Sequence, residues 1–315
     1  MKLKELIPIY KTSHPFSPTC KFTVFTPLYN SEKTLYRVFR SLNKQTYRDF
    51  ELILINDGST DNSHDVALAL IKTATFPVNY INNTVNKHKM SCLMQAVQVA
   101  RGEYFLPFDA DDECMYDALD IFATEYASID SQFAKNCIAV TGLCIDQYGH
   151  QVGDKFPSTP FYSNTFISNN INKINGEKWG FTKTSILKGV QLHDDLFQKG
   201  LIPEGLIWNL LAKEGFITKY INVNLRKYYL NVENSITSSG IKNNALGTVI
   251  YNICNLNWFY KDYKLKTPLY FFKCIYFILK SSIYLDYRLS DYVKVIDSRT
   301  YRVLIVALWH FRKQL

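Results

Sequence analysis

The seven cysteines of this sequence are odd in number and widely spaced, with no C-x-x-C pair and no metal-ligand rhythm. That pattern excludes a disulfide framework or zinc cage and suits a reducing cytosol, where buried thiols act as small hydrophobes. No apolar run of signal-peptide length opens the chain. Export is therefore not expected, and residues 1–20 read as a loose leader. No run is long and clean enough to cross a bilayer: the stretch Pro268 to Leu285 is broken by Lys273 and Lys280, and Val303 to Trp309 is too short. There is no internal repeat and no Gly-rich phosphate loop near the start, which weighs against a nucleotidyltransferase.

What is present is a globular chain of 315 residues, 47% hydrophobic and 15% aromatic, enough for one large core or two smaller ones. Its net charge of +8 is uneven. Residues 241–315 hold twelve Lys or Arg against four Asp, an excess of eight, so residues 1–240 are balanced. The tail is therefore expected to have a role of its own.

The first third alternates strand-like and helix-like segments. Lys21 to Thr26 is β-branched and aromatic, and Glu32 to Leu42 places Leu35, Val38, Phe39 and Leu42 at helical spacing. Glu51 to Ile55 is a short apolar run of the kind buried on both faces of a parallel sheet. A helix over 62–71, a weaker strand at Val78 to Ile81, a helix from Ser91 to Ala100 and a strand from Tyr104 to Phe108 follow. This order predicts β-α-β units, a mainly parallel sheet flanked by helices, and ligands bound beyond the carboxyl ends of the strands. Residues 149–175, rich in Asn and Ser, read as a mobile connection or lid. A further helix is expected over Leu206 to Lys213.

The strand ends carry T-P-L-Y-N (26–30), N-D-G-S-T-D (56–61) and D-A-D-D (109–112). Asp109, Asp111 and Asp112 enter the crevice together, and crowded carboxylates favour a cation. Mg²⁺ or Mn²⁺ contacts one or two carboxylates and leaves its other positions to water and phosphate oxygens, which suits a diphosphate-bridging ion. Asp57 has the chemistry to accept the imide N–H of a pyrimidine base. Each motif also has a plainer reading, as a helix cap or a turn.

Together and in this order, the three motifs resemble the inverting family 2 glycosyltransferases, strongly over 21–115 and more loosely over 175–237. Gly102-Glu103-Tyr104, leading into the Asp cluster, is similar as well. The resemblance implies a GT-A fold with its catalytic domain over 21–240, a nucleotide-sugar donor (usually a UDP-sugar), a divalent metal, and transfer to an acceptor hydroxyl with inversion. By position, Pro27 and Tyr29 would line the base pocket, Asp57 would bind the base, Asp109 would lie on the ribose side, Asp111 would hold the metal and Asp112 would face the sugar or acceptor. Lys89 falls in a donor-contacting loop, with a solvated basic turn as the competing reading. Glu204 occupies the place of the general base, although Gly205 stands where an Asp is common. Its alternative reading is a carboxylate stabilising a helix start, and Asp194 or Asp195 is a second choice for the base. Trp179 and Trp208 are aromatic candidates for sugar stacking, or simply core.

The tail, 241–315, interleaves aromatics with Lys and Arg. It suits either an anionic membrane surface or amphipathic helices packed on the catalytic domain or on a partner chain. Nucleic acid is not expected, since the basic residues form no recognised motif. A homo-oligomer stays open. The resemblance suggests cell-surface polysaccharide or glycolipid assembly with a glycan or lipid-linked acceptor, in the cytoplasm or peripherally on the inner face of the cell membrane. A non-catalytic binding protein of the same fold remains the alternative.

Overall fold

The computed structural model describes residues 2–12, 15–198, 200–230, 240 and 242–314. After a 3-10 turn at Leu3–Leu6, the strands are β1 (Ile9–Tyr10), β2 (Cys20–Leu28), β3 (Phe50–Asp57), β4 (Val78–Asn83), β5 (Gly102–Pro107), β6 (Glu113–Cys114), β7 (Cys137–Ile145), β8 (Phe161–Ser163), β9 (Lys178–Lys183), β10 (Val190–Gln191) and β11 (Ile217–Lys227). The helices are α1 (Tyr36–Asn43), α2 (Ser63–Ile71), α3 (Lys89–Val99), α4 (Ala118–Ala127), α5 (Thr184–Leu187), α6 (Gly205–Lys213), α7 (Ala245–Tyr263), α8 (Pro268–Ser282), α9 (Leu289–Val295) and α10 (Arg299–Leu308).

Among the described residues one nine-stranded sheet runs β4-β3-β2-β5-β9-β7-β11-β6, with β8 also paired to β11. The half from β4 to β5 is parallel. β9 then lies antiparallel to both β5 and β7, and β7 and β11 are again parallel. Every residue of β3 is buried, as its unbroken apolar run requires of a strand covered on both faces. Alternation along the strands feeds two cores. Val24, Leu52, Leu54 and Leu106 pack towards Val38, Phe39 and Phe122 of α1 and α4. Phe25, Ile53, Ile55 and Phe105 face the opposite layer, with α3, α6 and α7.

Two expectations change here. The leader is not loose: Leu3 and Leu6 are buried, and β1 pairs with β10. Residues 149–175 do not form an unpacked lid, because Phe156 and Ile174 join Leu143 and Tyr220 in a small core. Asn222 also clamps the backbone of Phe156 from both sides. Of the expected acceptor half, 231–237 lies outside the described residues.

The tail packs on the domain. Leu246, Val249, Ile250 and Ile253 of α7 join Leu206 and Leu210 of α6 in one cluster. A Cβ on Gly247 would strike the Leu201 carbonyl oxygen, so α7 lies hard against the segment that leads into α6. Burying each such Leu, Ile or Val contributes about 1.5–3 kcal/mol, so four of them rival the about 5–15 kcal/mol that holds a whole domain together. The packing reading of the tail is thus correct for its inner face. Its outer face remains open: Leu265, Leu269 and Phe272 are exposed.

Candidate active site

Parallel register sets the site. Pro27 pairs with Ile55 and Leu28 with Asn56, while Asp57 pairs with Asn83 and Phe25 with Pro107. The loops after β2, β3, β4 and β5 therefore leave the same edge of the sheet.

The first two loops are stitched together by their own polar side chains. Asn30 N–H donates to Ser59 Oγ (3.0 Å), Thr60 N–H to Asn30 Oδ1 (2.8 Å), Ser31 N–H to Ser63 Oγ (2.7 Å) and Asn62 N–H to Glu32 Oε2 (3.0 Å). Asp61 accepts from the backbone of Ser63 and Glu32. Burial opposes its charge, but the Ser63 and Glu32 bonds prevail and hold it below the usual carboxylate range. Gly58 has φ +69°, and a Cβ there would come within 2.7 Å of Asn86 N and the Val85 carbonyl carbon. Only glycine fits this turn without strain. Asp57 is buried, and its Oδ1 accepts the Lys87 N–H at 2.8 Å, which ties the β3 end to the loop after β4. Pro27 is half-buried and pairs with Ile55, two residues before Asp57, and Tyr29 is exposed.

The third loop meets the acceptor half. Lys89, at the start of α3, places its Nζ 2.6 Å from Asp109 Oδ1 and 2.9 Å from Glu204 Oε1. Burial works against the Lys89 charge, yet the two carboxylates outweigh it and raise its pKa. Asp109 is the converse: burial opposes ionisation, and Lys89 and Arg226 nonetheless hold it low. Glu204 is the N-cap residue of α6 but makes no capping hydrogen bond with its side chain, which turns to Lys89 instead. Two carboxylates from segments far apart in the chain, Asp109 and Glu204, thus meet at one ammonium.

Asp112 is placed differently from its expected position facing the sugar or acceptor. It is fully buried, with Oδ1 accepting the Tyr229 N–H at 3.1 Å and Oδ2 lying 3.3 Å from Arg226 Nη1. Burial pushes it up to about 7, with Asp111 and Asp109 adding to the rise against the pull of Arg226. Asp111, next in the turn, points elsewhere. It is half-buried, burial and Asp109 raise its pKa, and no cation lies within ion-pair distance among the described residues. The described residues contain no group of three or more His, Cys, Asp or Glu arranged to hold a metal. An unpaired carboxylate beside a second acid nonetheless fits an ion that takes one protein carboxylate and completes its shell from a diphosphate.

Asp194 and Asp195 lie in a separate 3-10 turn, where His193 Nδ1 is 3.9 Å from Asp195 Oδ2. Trp179 is core: it is buried and its Nε1–H donates to the Pro107 carbonyl at 2.7 Å. Trp208 is half-buried and packs against the core of the α3 side.

Two residues of the site have no signal in the sequence. Arg226, buried on β11, spans Asp112 (3.3 Å), Asp109 (3.9 Å) and Glu177 (3.1 Å). Arg37, on α1, donates from Nη1 to the Asp111 carbonyl at 2.8 Å and lies 3.7 Å from the Tyr229 ring centroid. Isolated arginines in a strand and a helix announce nothing until folding brings them to the acidic loop.

Residues 23–188 match the family model described as glycosyl transferase family 2. The chain is 26% identical over 227 residues to the uncharacterized glycosyltransferase YibD of Escherichia coli K12, covering 68% of this chain and 62% of that protein. It is 28% identical over 184 residues to glycosyltransferase GlyG of Streptococcus pneumoniae, covering 50% and 61%. It therefore spans about three fifths of the length of those two relatives. A Campylobacter jejuni protein named GalNAc(5)-diNAcBac-PP-undecaprenol beta-1,3-glucosyltransferase is 23% identical over 227 residues, covering 71% and 69%. Among solved structures, S. aureus TarS 1–349 in complex with UDP-GlcNAc superposes with a TM-score of 0.60 at 16% identity, over 93% of this chain and 87% of that one. That likeness shows a shared fold.

Proposed function

The chain belongs to glycosyl transferase family 2, and on that premise we propose that it moves a sugar, with inversion, from a UDP-sugar to the hydroxyl of a glycan or lipid-linked acceptor in cell-surface polysaccharide or glycolipid assembly. The observation that carries this is the bridge at Lys89, which joins Asp109 at the end of a donor-side strand to Glu204 at the head of α6. Donor and acceptor chemistry need such a meeting point. The named relatives, one of which acts on an undecaprenol diphosphate-linked glycan by its name, support the substrate classes.

In this reading Pro27 and Tyr29 wall the base pocket. Asp57 accepts the uracil imide N–H on the oxygen that Lys87 does not hold. Asp109, fixed by Lys89 and Arg226, faces the ribose side. Asp111 holds Mn²⁺ or Mg²⁺, which when bound supplies Lewis-acid neutralisation of the departing diphosphate. The acceptor oxygen attacks the anomeric carbon from the face opposite the leaving group while Glu204 takes its proton. The carbon–oxygen bond to the nucleoside diphosphate breaks, and the bond to the acceptor forms. Asp112 does not touch substrate here; with Arg226 it sets the turn that aims Asp109 and Asp111. The enzyme then works in the cytoplasm, on the inner face of the cell membrane, where lipid-linked acceptors meet soluble donors.

One observation favours a second reading. Glu204 is already engaged by Lys89, and Gly205 stands where an acid would be common, as a binding protein without turnover would allow. The two part on a single set of measurements. UDP or a UDP-sugar should raise the melting temperature only with Mn²⁺ or Mg²⁺, Asp111→Ala should lose the metal-dependent part, and UDP release should follow acceptor addition. Absence of any nucleotide shift would remove the proposal, while binding without turnover would establish the second reading.

A further inference from the structure

The stretch from Tyr263 to Leu285 contains Lys264, Lys266, Lys273 and Lys280 and no acidic residue, and Ser298 to Gln314 contains Arg299, Arg302, Arg312 and Lys313 and again no acid. On α8 and the turn before it, Leu265 (89% exposed), Leu269 (74%), Phe272 and Phe277 all face solvent. From Leu269 on, these apolar positions recur at the spacing of one helix face, with exposed Lys273 among them. The inner side of α8, with Phe271, Cys274, Ile275 and Ile278, is spent on the core. α10 adjoins at the Phe272–Tyr301 ring contact (6.1 Å) and exposes Val303 and Val306. No described helix is long and apolar enough to cross a membrane.

We infer that the outer face of α8, with α10 beside it, is the surface by which this protein lies on an anionic lipid bilayer. The charge argues for that occupant. A partner protein or a second copy would have to bring a wholly acidic patch to meet these cations. A second copy of this same face would bring only more cations, and like charges repel. An anionic leaflet supplies diffuse negative charge for the lysines and an apolar layer for the leucine and phenylalanine side chains at once.

The placement has a second consequence, which rests on reading Glu204 as the acceptor-side residue. A groove of about 220 Å³ between α7 and α8 is lined by Lys273 and Phe277, both on the lipid-facing side, and by Tyr251 and Tyr270 deeper in. Tyr251 reaches the start of α6, where a Cβ on Gly205 would lie 3.3 Å from its ring. The groove therefore reaches from the bilayer face to Tyr251, the side chain that packs against the start of α6 next to Glu204.

The test is co-sedimentation of the full chain with vesicles of phosphatidylcholine alone or mixed with phosphatidylglycerol. Binding should appear with the anionic vesicles only and weaken with added salt. The triple change Lys264→Gln, Lys266→Gln, Lys273→Gln should cut partitioning about a hundredfold, since each cation near an anionic surface contributes about fivefold. The pair Leu265→Ser, Leu269→Ser should weaken it as well; because both side chains stand in solvent, the melting temperature should stay unchanged. Failure of the native chain to bind anionic vesicles would overturn the inference, as would equal binding by both variants. Analytical ultracentrifugation closes the remaining route: a native dimer that the Leu pair dissociates would mean that a second copy covers the face. Vesicle binding needs no nucleotide, so its failure is distinct from failure of the UDP shift.

Discussion

Replacing Lys89 by Met keeps the bulk of the side chain and removes the one charge that Asp109 and Glu204 share. The side chains of Lys89, Asp109 and Glu204 are 23%, 33% and 32% exposed, so the loss falls between two limits. Exposed ion pairs contribute about 0–1 kcal/mol, and breaking a buried one costs about 3–5; for this half-buried pair of contacts about 2 kcal/mol is expected. In a chain of this size that lowers the melting temperature by about 3 °C. The pH dependence gives the sharper check. In the native chain Asp109 is held below its usual value, so its contribution is present above about pH 4 and is lost as pH falls through the lowered value. Without Lys89 that contribution shrinks. The gap between the two proteins should therefore be full at neutral pH and narrow on acidification. Paired thermal melts from pH 3 to 8 would measure it. Equal stability at neutral pH, or a gap that widens in acid, would refute the bridge as the structural join between the two halves.

Three further outcomes follow from the same geometry. Glu204→Gln should retain UDP binding while transfer falls by about 10² to 10⁴, whereas Asp57→Ala should weaken UDP itself; a native rate in the Gln variant would send the search to Asp195. Asp112, pushed up to about 7, holds its proton in the fold at pH values where the unfolded chain has released it, so it lowers stability as pH rises from about 4 to 7. Asp112→Asn should therefore gain on the native protein across that window, and a flat difference in denaturation midpoints would show that Asp112 is not perturbed. Gly58→Ala should cost about 1–3 kcal/mol from backbone strain and should weaken UDP binding through Asp57, both readable by calorimetry.

Much of this arrangement was legible in the order of residues, and the limits have physical causes. The strands and helices of the first third were marked by their apolar periods, so Asp57 and Asp109 could be assigned to strand ends. Within the D-A-D-D turn, however, neighbouring carboxylates diverge: Asp112 turns inward to Arg226 and Asp111 does not, and only the backbone path decides which. Arg226 lies more than a hundred residues from the loop it neutralises, beyond the reach of any local pattern. Leu3 and Leu6 form too short a turn to show a period, which is why the leader looked loose. Composition misled over 149–175 for a different reason. Its Asn and Ser residues hid the fact that Phe156 and Ile174 suffice to seed a small core.

The absence of a side chain at Gly247, which lets α7 lie against Leu201 just ahead of Glu204, bears on how such proteins can be recombined. A chimera joined at residue 240 would look like a clean exchange of tails between related chains. Its α7 would nonetheless have to match the shape of someone else's 201–206 segment to within an atom's width. Parents with a larger residue at 247 would shift that segment and with it the carboxylate at 204. Junctions placed before residue 196, which carry the segment, α6 and α7 across as one piece, should give active hybrids more often than junctions at 240.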